Sequence, residues 1–203
     1  MVSIEYNFIF VHIPKTAGNA FQNILRNYSE DKVVCLAPHQ DGVERFELDS
    51  CYGGATKHSS LAVYKEKTDP VFFQNAYKFT CVRNPWDRLI SFYFSPHRGV
   101  SHWNKEEFIQ FVSKVPSSFS YLRLANESLK DCLSHFDFIV RFEALEKGFE
   151  EVCVALGIPD TKLPVRNKAS KKYYTEYYDQ ELIDLVADLF ADEIEVFGYT
   201  YEG

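Results

Sequence analysis

The sequence predicts an α/β domain in which helices flank a central parallel sheet. Apolar, β-rich runs alternate with segments of helical spacing along the chain. Two of these runs, Phe8–Val11 and Tyr77–Arg83, end in short loops that pass directly into helices. With 203 residues, 46% of them hydrophobic, the chain suffices for one full core and is short for two. No repeat, low-complexity tract or linker divides it, so residues 1–203 read as a single domain.

A first strand and helix fill about residues 6–28. The helix is marked by Phe21, Ile24, Leu25 and Tyr28 at helical spacing. Lys32–Leu36 reads as a short strand. Residues 38–59 are rich in Gly, Asp, Ser and His with weak periodicity, and read as an extended functional loop ending in Gly53–Ser60. Ser60–Lys67 reads as a short helix broken at Asp69-Pro70, and Val71–Ala76 is too short to assign. Tyr77–Arg83 alternates as a strand. Asn84 can then cap a helix with Pro85 in its first position. A helix over Lys105–Val115 stops before Pro116. Phe136–Phe142 reads as a strand, Glu143–Leu156 as a helix ended by Gly157, and Asp179–Phe190 as a late amphipathic helix.

A formal net charge of −7 argues against a nucleic-acid or anionic-membrane binder, while leaving room for a locally basic pocket. No apolar run reaches the roughly 20 residues of a transmembrane helix, and the N-terminus lacks signal-peptide character. The cytoplasm is the expected location. Five widely spaced cysteines with no C-x-x-C favour reduced thiols over a metal or redox site, with Cys81 and Cys153 as small core residues.

The most informative segment is Phe8–Phe21. A strand runs through Pro14-Lys15-Thr16-Ala17-Gly18 into a helix, and so places free N–H groups, a helix dipole and the Lys15 charge at one point. Such a junction binds phosphate-like anions. It is not a Walker A loop, because G-x-x-x-x-G-K-[ST] occurs nowhere in the chain. The second junction ends at Arg83, with Ser91 on the following helix. An arginine fork and a hydroxyl there could grip another phosphate at the shared edge of a parallel sheet. Alternatively, Arg83 pairs with Asp87 and Ser91 faces the core.

Taken together, FVHIPKTAGNAF and TCVRNPWDRLISFYF resemble the two nucleotide-binding signatures of sulfotransferases that use 3′-phosphoadenosine 5′-phosphosulfate (PAPS). The match is to the carbohydrate type with an H-I-P-K-T-[AG]-G loop. It continues through Ile139–Leu145 and Ile194–Tyr199, nearly the whole chain. The resemblance implies a P-loop-like three-layer fold. It also implies that Lys15, Thr16, Ala17, Gly18, Asn19 and Ala20 bind the 5′ end, and that Arg83 and Ser91 bind the 3′-phosphate. Lys168, in Asn167–Ser170, is similar to an element that approaches the nucleotide. Asn19-Ala20 stands where a hydroxyl pair is usual, which leaves Thr16 or backbone N–H groups to make that contact.

The implied reaction moves a sulfonate group to an acceptor hydroxyl, on a carbohydrate or a small metabolite, without a metal. Lys15 would stabilise charge on the leaving phosphate, and a histidine would serve as base. His58, in the loop between the signatures, is the preferred base, while His12 is expected to orient the first loop. His97 and His102 could contact acceptor, and His39 and His135 read as ordinary. Lys57 either neutralises sulfonate oxygens or is solvated. Glu143 reads as a helix-start carboxylate, Lys168, Lys171 and Lys172 as a basic rim, and Tyr173, Tyr174, Tyr177 and Tyr178 as packing. Two other readings remain: a nucleotide-binding protein of the same fold without transfer activity, and a kinase, which the missing Gly-Lys-Ser/Thr ending disfavours.

Overall fold

A computed structural model describes residues 1–38, 44–49, 55–124, 127–159, 162–163 and 173–202, with side chains except those of 32–38, 44–49 and 97. The central sheet has the order β1–β2–β5–β6, formed by Val2–Ser3, Phe8–Val11, Tyr77–Val82 and Phe138–Arg141. β2 pairs parallel to β5, and β5 parallel to β6; the short β1 runs antiparallel along the outer edge of β2. Lys32–Pro38 (β3) and Glu44–Asp49 (β4) form a separate antiparallel pair.

The helices follow as α1 (Gly18–Leu25), α2 (Leu61–Lys67), α3 (Pro70–Asn75), α4 (Pro85–Tyr93) and α5 (Lys105–Val112). After them come α6 (Phe119–Leu122), α7 (Leu129–Leu133), α8 (Leu145–Leu156), α9 (Gln180–Leu189) and α10 (Ala191–Phe197). The period-two alternation of β2 divides the core. Phe8 and Phe10 meet Phe21, Ile24 and Leu25 of α1 and Phe149, Val152 and Cys153 of α8. Ile9 and Val11 meet Leu61 and Tyr64 of α2, Phe73 of α3, and Phe119 and Leu122 of α6. Both faces of the sheet are therefore covered, which is why β2 reads as an unbroken apolar run. A third cluster joins Trp86, Leu89 and Tyr93 of α4 to Phe108 of α5 and Leu182 and Val186 of α9.

Residues 38–59, expected as loop, contain β4. Phe46 and Leu48 alternate there with charged neighbours, a period-two signal outweighed by the polar composition around it. The helix expected over Ser60–Lys67 ends at Lys67, before Asp69-Pro70 as expected, and the same dipeptide also starts α3: the Asp69 carboxylate accepts from the N–H groups of Val71 and Phe72, and Pro70 occupies the first turn. Asn84 caps α4 as expected, accepting from Trp86 N–H. Gly157 ends α8 at φ 67°. The helix expected over Lys105–Val115 stops at Val112.

Candidate functional site

The parallel pairing of β2 and β5 brings Val11 beside Thr80, so the loops that leave the two strands share one edge of the sheet. In the first loop, Lys15 and Ala17 are both left-handed, each at φ 71°. Non-glycine residues in this region carry strain of about 1–3 kcal/mol each, and such strain clusters where a backbone is shaped for a ligand. Alternation of left-handed residues turns successive N–H groups into a concave anion nest. The N–H groups of Thr16 and Ala17 donate to no described residue.

The loop is braced from within. Thr16 is fully buried and donates its hydroxyl to the Ile13 carbonyl at 2.9 Å. Its one proton is thus committed to the loop itself, and anion contacts at this edge fall to backbone N–H groups. Gly18 opens α1 against the His12 imidazole: a Cβ at position 18 would lie 2.0 Å from His12 Cδ2. Glycine is required here by close approach, not by backbone conformation. Asn19 is half-buried on the first turn of α1, and Ala20 is buried.

His12 is buried, and its Nδ1 has no hydrogen-bond partner among the described residues. Burial holds its pKa well below the ordinary histidine value, and the nearby His58 and Lys57 push the same way. The Gln22 amide approaches the ring and favours its charged form, without completing a hydrogen bond of normal geometry. His12 is therefore a neutral structural ring.

A tight turn sets His58 beside it. The Ser59 N–H donates to the Thr56 carbonyl at 3.0 Å, and the Thr56 N–H donates to Ser59 Oγ at 2.8 Å. His58 Nδ1 lies 3.0 Å from the His12 carbonyl oxygen, with ring centroids 4.4 Å apart. Lys57 is buried, at 4% exposure, which removes the solvated alternative.

Arg83 leaves the end of β5 and joins the two loops. Its Nε and Nη2 meet the Asp87 carboxylate at 2.8 and 2.7 Å, and its Nη1 donates to the Lys15 carbonyl at 3.0 Å. The guanidinium also stacks on the Phe142 ring, 3.8 Å from its centroid. Pairing with Asp87, the plainer of the two sequence readings, is thus realised, and the remaining N–H groups of the fork are the ones left for a ligand. Ser91 is half-buried on α4, and its hydroxyl makes no hydrogen bond among the described residues.

Glu143 accepts from the Asn84 N–H at 2.8 Å and from the Tyr199 hydroxyl at 3.3 Å, and Asn84 Nδ2 donates to the Thr200 carbonyl at 2.8 Å. The C-terminal segment thereby fastens the β5–α4 junction. Tyr174, Tyr177 and Tyr178 pack on the third core cluster, whereas Tyr173 is exposed. His135 pairs with Glu127 and His102 is exposed. Lys168, with Asn167, Ala169, Ser170, Lys171 and Lys172, lies outside the described residues, as does His39; the His97 side chain is likewise not described.

Sequence reasoning missed Arg88. This arginine is buried, at 1% exposure, and donates through Nε to the Pro14 carbonyl at 3.3 Å. Its position among Trp86, Leu89 and Ile90 was a signal, but its partner Glu193 lies far along the chain and no local spacing links them.

A model of the sulfotransferase family matches residues 1–200. Comparisons with curated proteins and with solved structures returned no match.

Proposed function

The chain belongs to the sulfotransferase family, whose members transfer sulfonyl groups, and from that premise we propose that its donor is PAPS and its acceptor a carbohydrate or small-metabolite hydroxyl. The observation that carries this reading is the Arg83–Lys15 link, because it brings the loop suited to one phosphate directly against the loop suited to another. A donor phosphorylated at both the 3′ and 5′ positions matches that spacing of functions.

The residues fit such a donor. The nest of Lys15, Thr16, Ala17 and Gly18, continued by Asn19 and Ala20, presents N–H groups and the positive end of α1 to the 5′-phosphosulfate. The free edge of the Arg83 fork and the Ser91 hydroxyl hold the 3′-phosphate, with Lys168 added to the nucleotide site. The acceptor oxygen attacks sulfur in line, and the bond from sulfur to the bridging oxygen breaks. Lys15 stabilises the negative charge that gathers on the leaving 5′-phosphate. His58 takes the acceptor proton through Nε2, because its Nδ1 faces a carbonyl that can only accept. The cytoplasm is the proposed site of action, and no described helix is long and apolar enough to cross a membrane.

Isothermal titration with adenosine 3′,5′-bisphosphate tests the donor. Binding that is weakened by Arg83→Ala is expected, and absence of binding, or indifference to that change, would refute the assignment. Turnover against a panel of saccharides and small alcohols then identifies the acceptor.

A further inference from the structure

Two consecutive carbonyls of the first loop are held by arginines at the β5–α4 junction. Arg88 Nε donates to the Pro14 carbonyl at 3.3 Å, and Arg83 Nη1 to the Lys15 carbonyl at 3.0 Å. Every described peptide bond is trans. In a trans peptide the C=O and the following N–H point in opposite directions. Carbonyls drawn towards these two arginines therefore turn the N–H groups of Lys15 and Thr16 the other way.

Arg88 is itself immobilised. Nη1 donates to Ser118 Oγ at 3.1 Å and lies 3.6 Å from Glu193 Oε1, and Nη2 donates to the Pro116 carbonyl at 3.0 Å. Glu193, 1% exposed, also accepts the Ser118 N–H at 2.6 Å. The guanidinium thus ties the first loop to the α5–α6 turn and to α10. A buried ion pair is a poor source of net stability, since apolar residues of similar volume often serve as well. Such a fork can, however, fix the direction of a carbonyl as an apolar side chain cannot.

We propose that Arg88 is a positioning residue that sets the Pro14–Lys15 peptide so that the nest N–H groups face the 5′ end of the donor, an inference that rests on the donor assignment above. Arg88 acts on the 5′ loop alone, so its loss affects nucleotides with and without a 3′-phosphate equally.

The test is titration of wild type, Arg88→Lys, Arg88→Met and Arg83→Ala with adenosine 5′-phosphate and adenosine 3′,5′-bisphosphate. Both Arg88 variants are expected to weaken both ligands by the same factor, about tenfold to a hundredfold, the range for a charged hydrogen bond. The preference for the bisphosphate should persist in them and collapse in Arg83→Ala. A folded Arg88→Lys protein that binds both nucleotides as wild type does would overturn the proposal. Arg88→Lys keeps the charge and the stem, which preserves a folded variant if Arg88→Met does not fold. A crystal structure of Arg88→Lys gives a readout independent of the ligand: a rotated Pro14–Lys15 peptide is expected, and an unmoved one refutes the positioning role. Failure of the wild type to bind either nucleotide would instead refute the donor assignment, leaving the peptide orientation to decide the role of Arg88.

Discussion

His58 Nδ1 lies 3.0 Å from the carbonyl oxygen of His12. A carbonyl has no proton to give, so Nδ1 must be the donor. The neutral ring then carries its lone pair on Nε2, the nitrogen proposed to take the acceptor proton. The first signature loop therefore also fixes the tautomer of the proposed base.

Substitution of His58 by alanine should lower kcat by about 10²–10⁴-fold, the usual contribution of a positioned general base. Affinity for adenosine 3′,5′-bisphosphate should stay near the wild-type value, because the base faces acceptor and not donor. Steady-state kinetics beside titration separates the two effects, and full turnover in the variant would remove His58 from the role.

Gly18→Ala drives a Cβ to within 2.0 Å of the buried His12 ring. Overpacking of this kind destabilises by about 1–3 kcal/mol. The double variant His12→Ala/Gly18→Ala should recover part of that loss, because the clash partner is gone. Denaturant unfolding of the four proteins measures the coupling, and simple additivity would show that the two sites do not interact.

Stability should depend on pH through His12. Burial keeps its folded pKa well below 6.5, so the unfolded chain takes up the proton first as the pH falls. The contribution is complete above pH 6.5. Below it, folding weakens by up to about 1.4 kcal/mol per pH unit until the folded pKa is reached. His12→Asn should remove this slope in urea titrations between neutral and mildly acidic pH, and an unchanged slope would assign it to other groups.

Arg83→Ala should erase the preference for adenosine 3′,5′-bisphosphate over adenosine 5′-phosphate, a loss of about tenfold to a hundredfold. Arg83→Lys should restore little, since an ammonium group cannot pair with Asp87 through two N–H groups while holding the Lys15 carbonyl. A fall in kcat beyond the affinity loss is expected from the Lys15 contact, and competitive binding with turnover assays reads both.

The strand–loop–helix at Phe8–Leu25 and the capped start of α4 were legible because each is specified within about a dozen neighbouring residues, by apolar periodicity, proline and a capping side chain. The hairpin strand β4 escaped notice because its alternation is carried by only two apolar residues, Phe46 and Leu48. β1 has two residues and no pattern to read. Motif and loop context point to Lys15, Arg83 and His58, and spacing along a helix points to Asp87 as a partner of Arg83, but nothing local shows the contacts of Arg83 with the Lys15 carbonyl or of His58 with the His12 carbonyl.

The layered α/β architecture and the two loops that meet at a sheet edge are legible in the sequence, because local periodicity and turn chemistry encode them. It takes the folded chain to show that Gly18 answers to the His12 ring, that the Arg83 fork is shared between Asp87 and the Lys15 carbonyl, and that Arg88 reaches Pro14 from a buried pair with Glu193. Gly18 and His12 meet within one loop and Arg83 and Asp87 within one turn of helix, but the Arg83–Lys15, Arg88–Pro14 and Arg88–Glu193 contacts join residues far apart along the chain. They exist only once the parallel register of β2 and β5 and the return of α10 bring the groups within hydrogen-bonding distance.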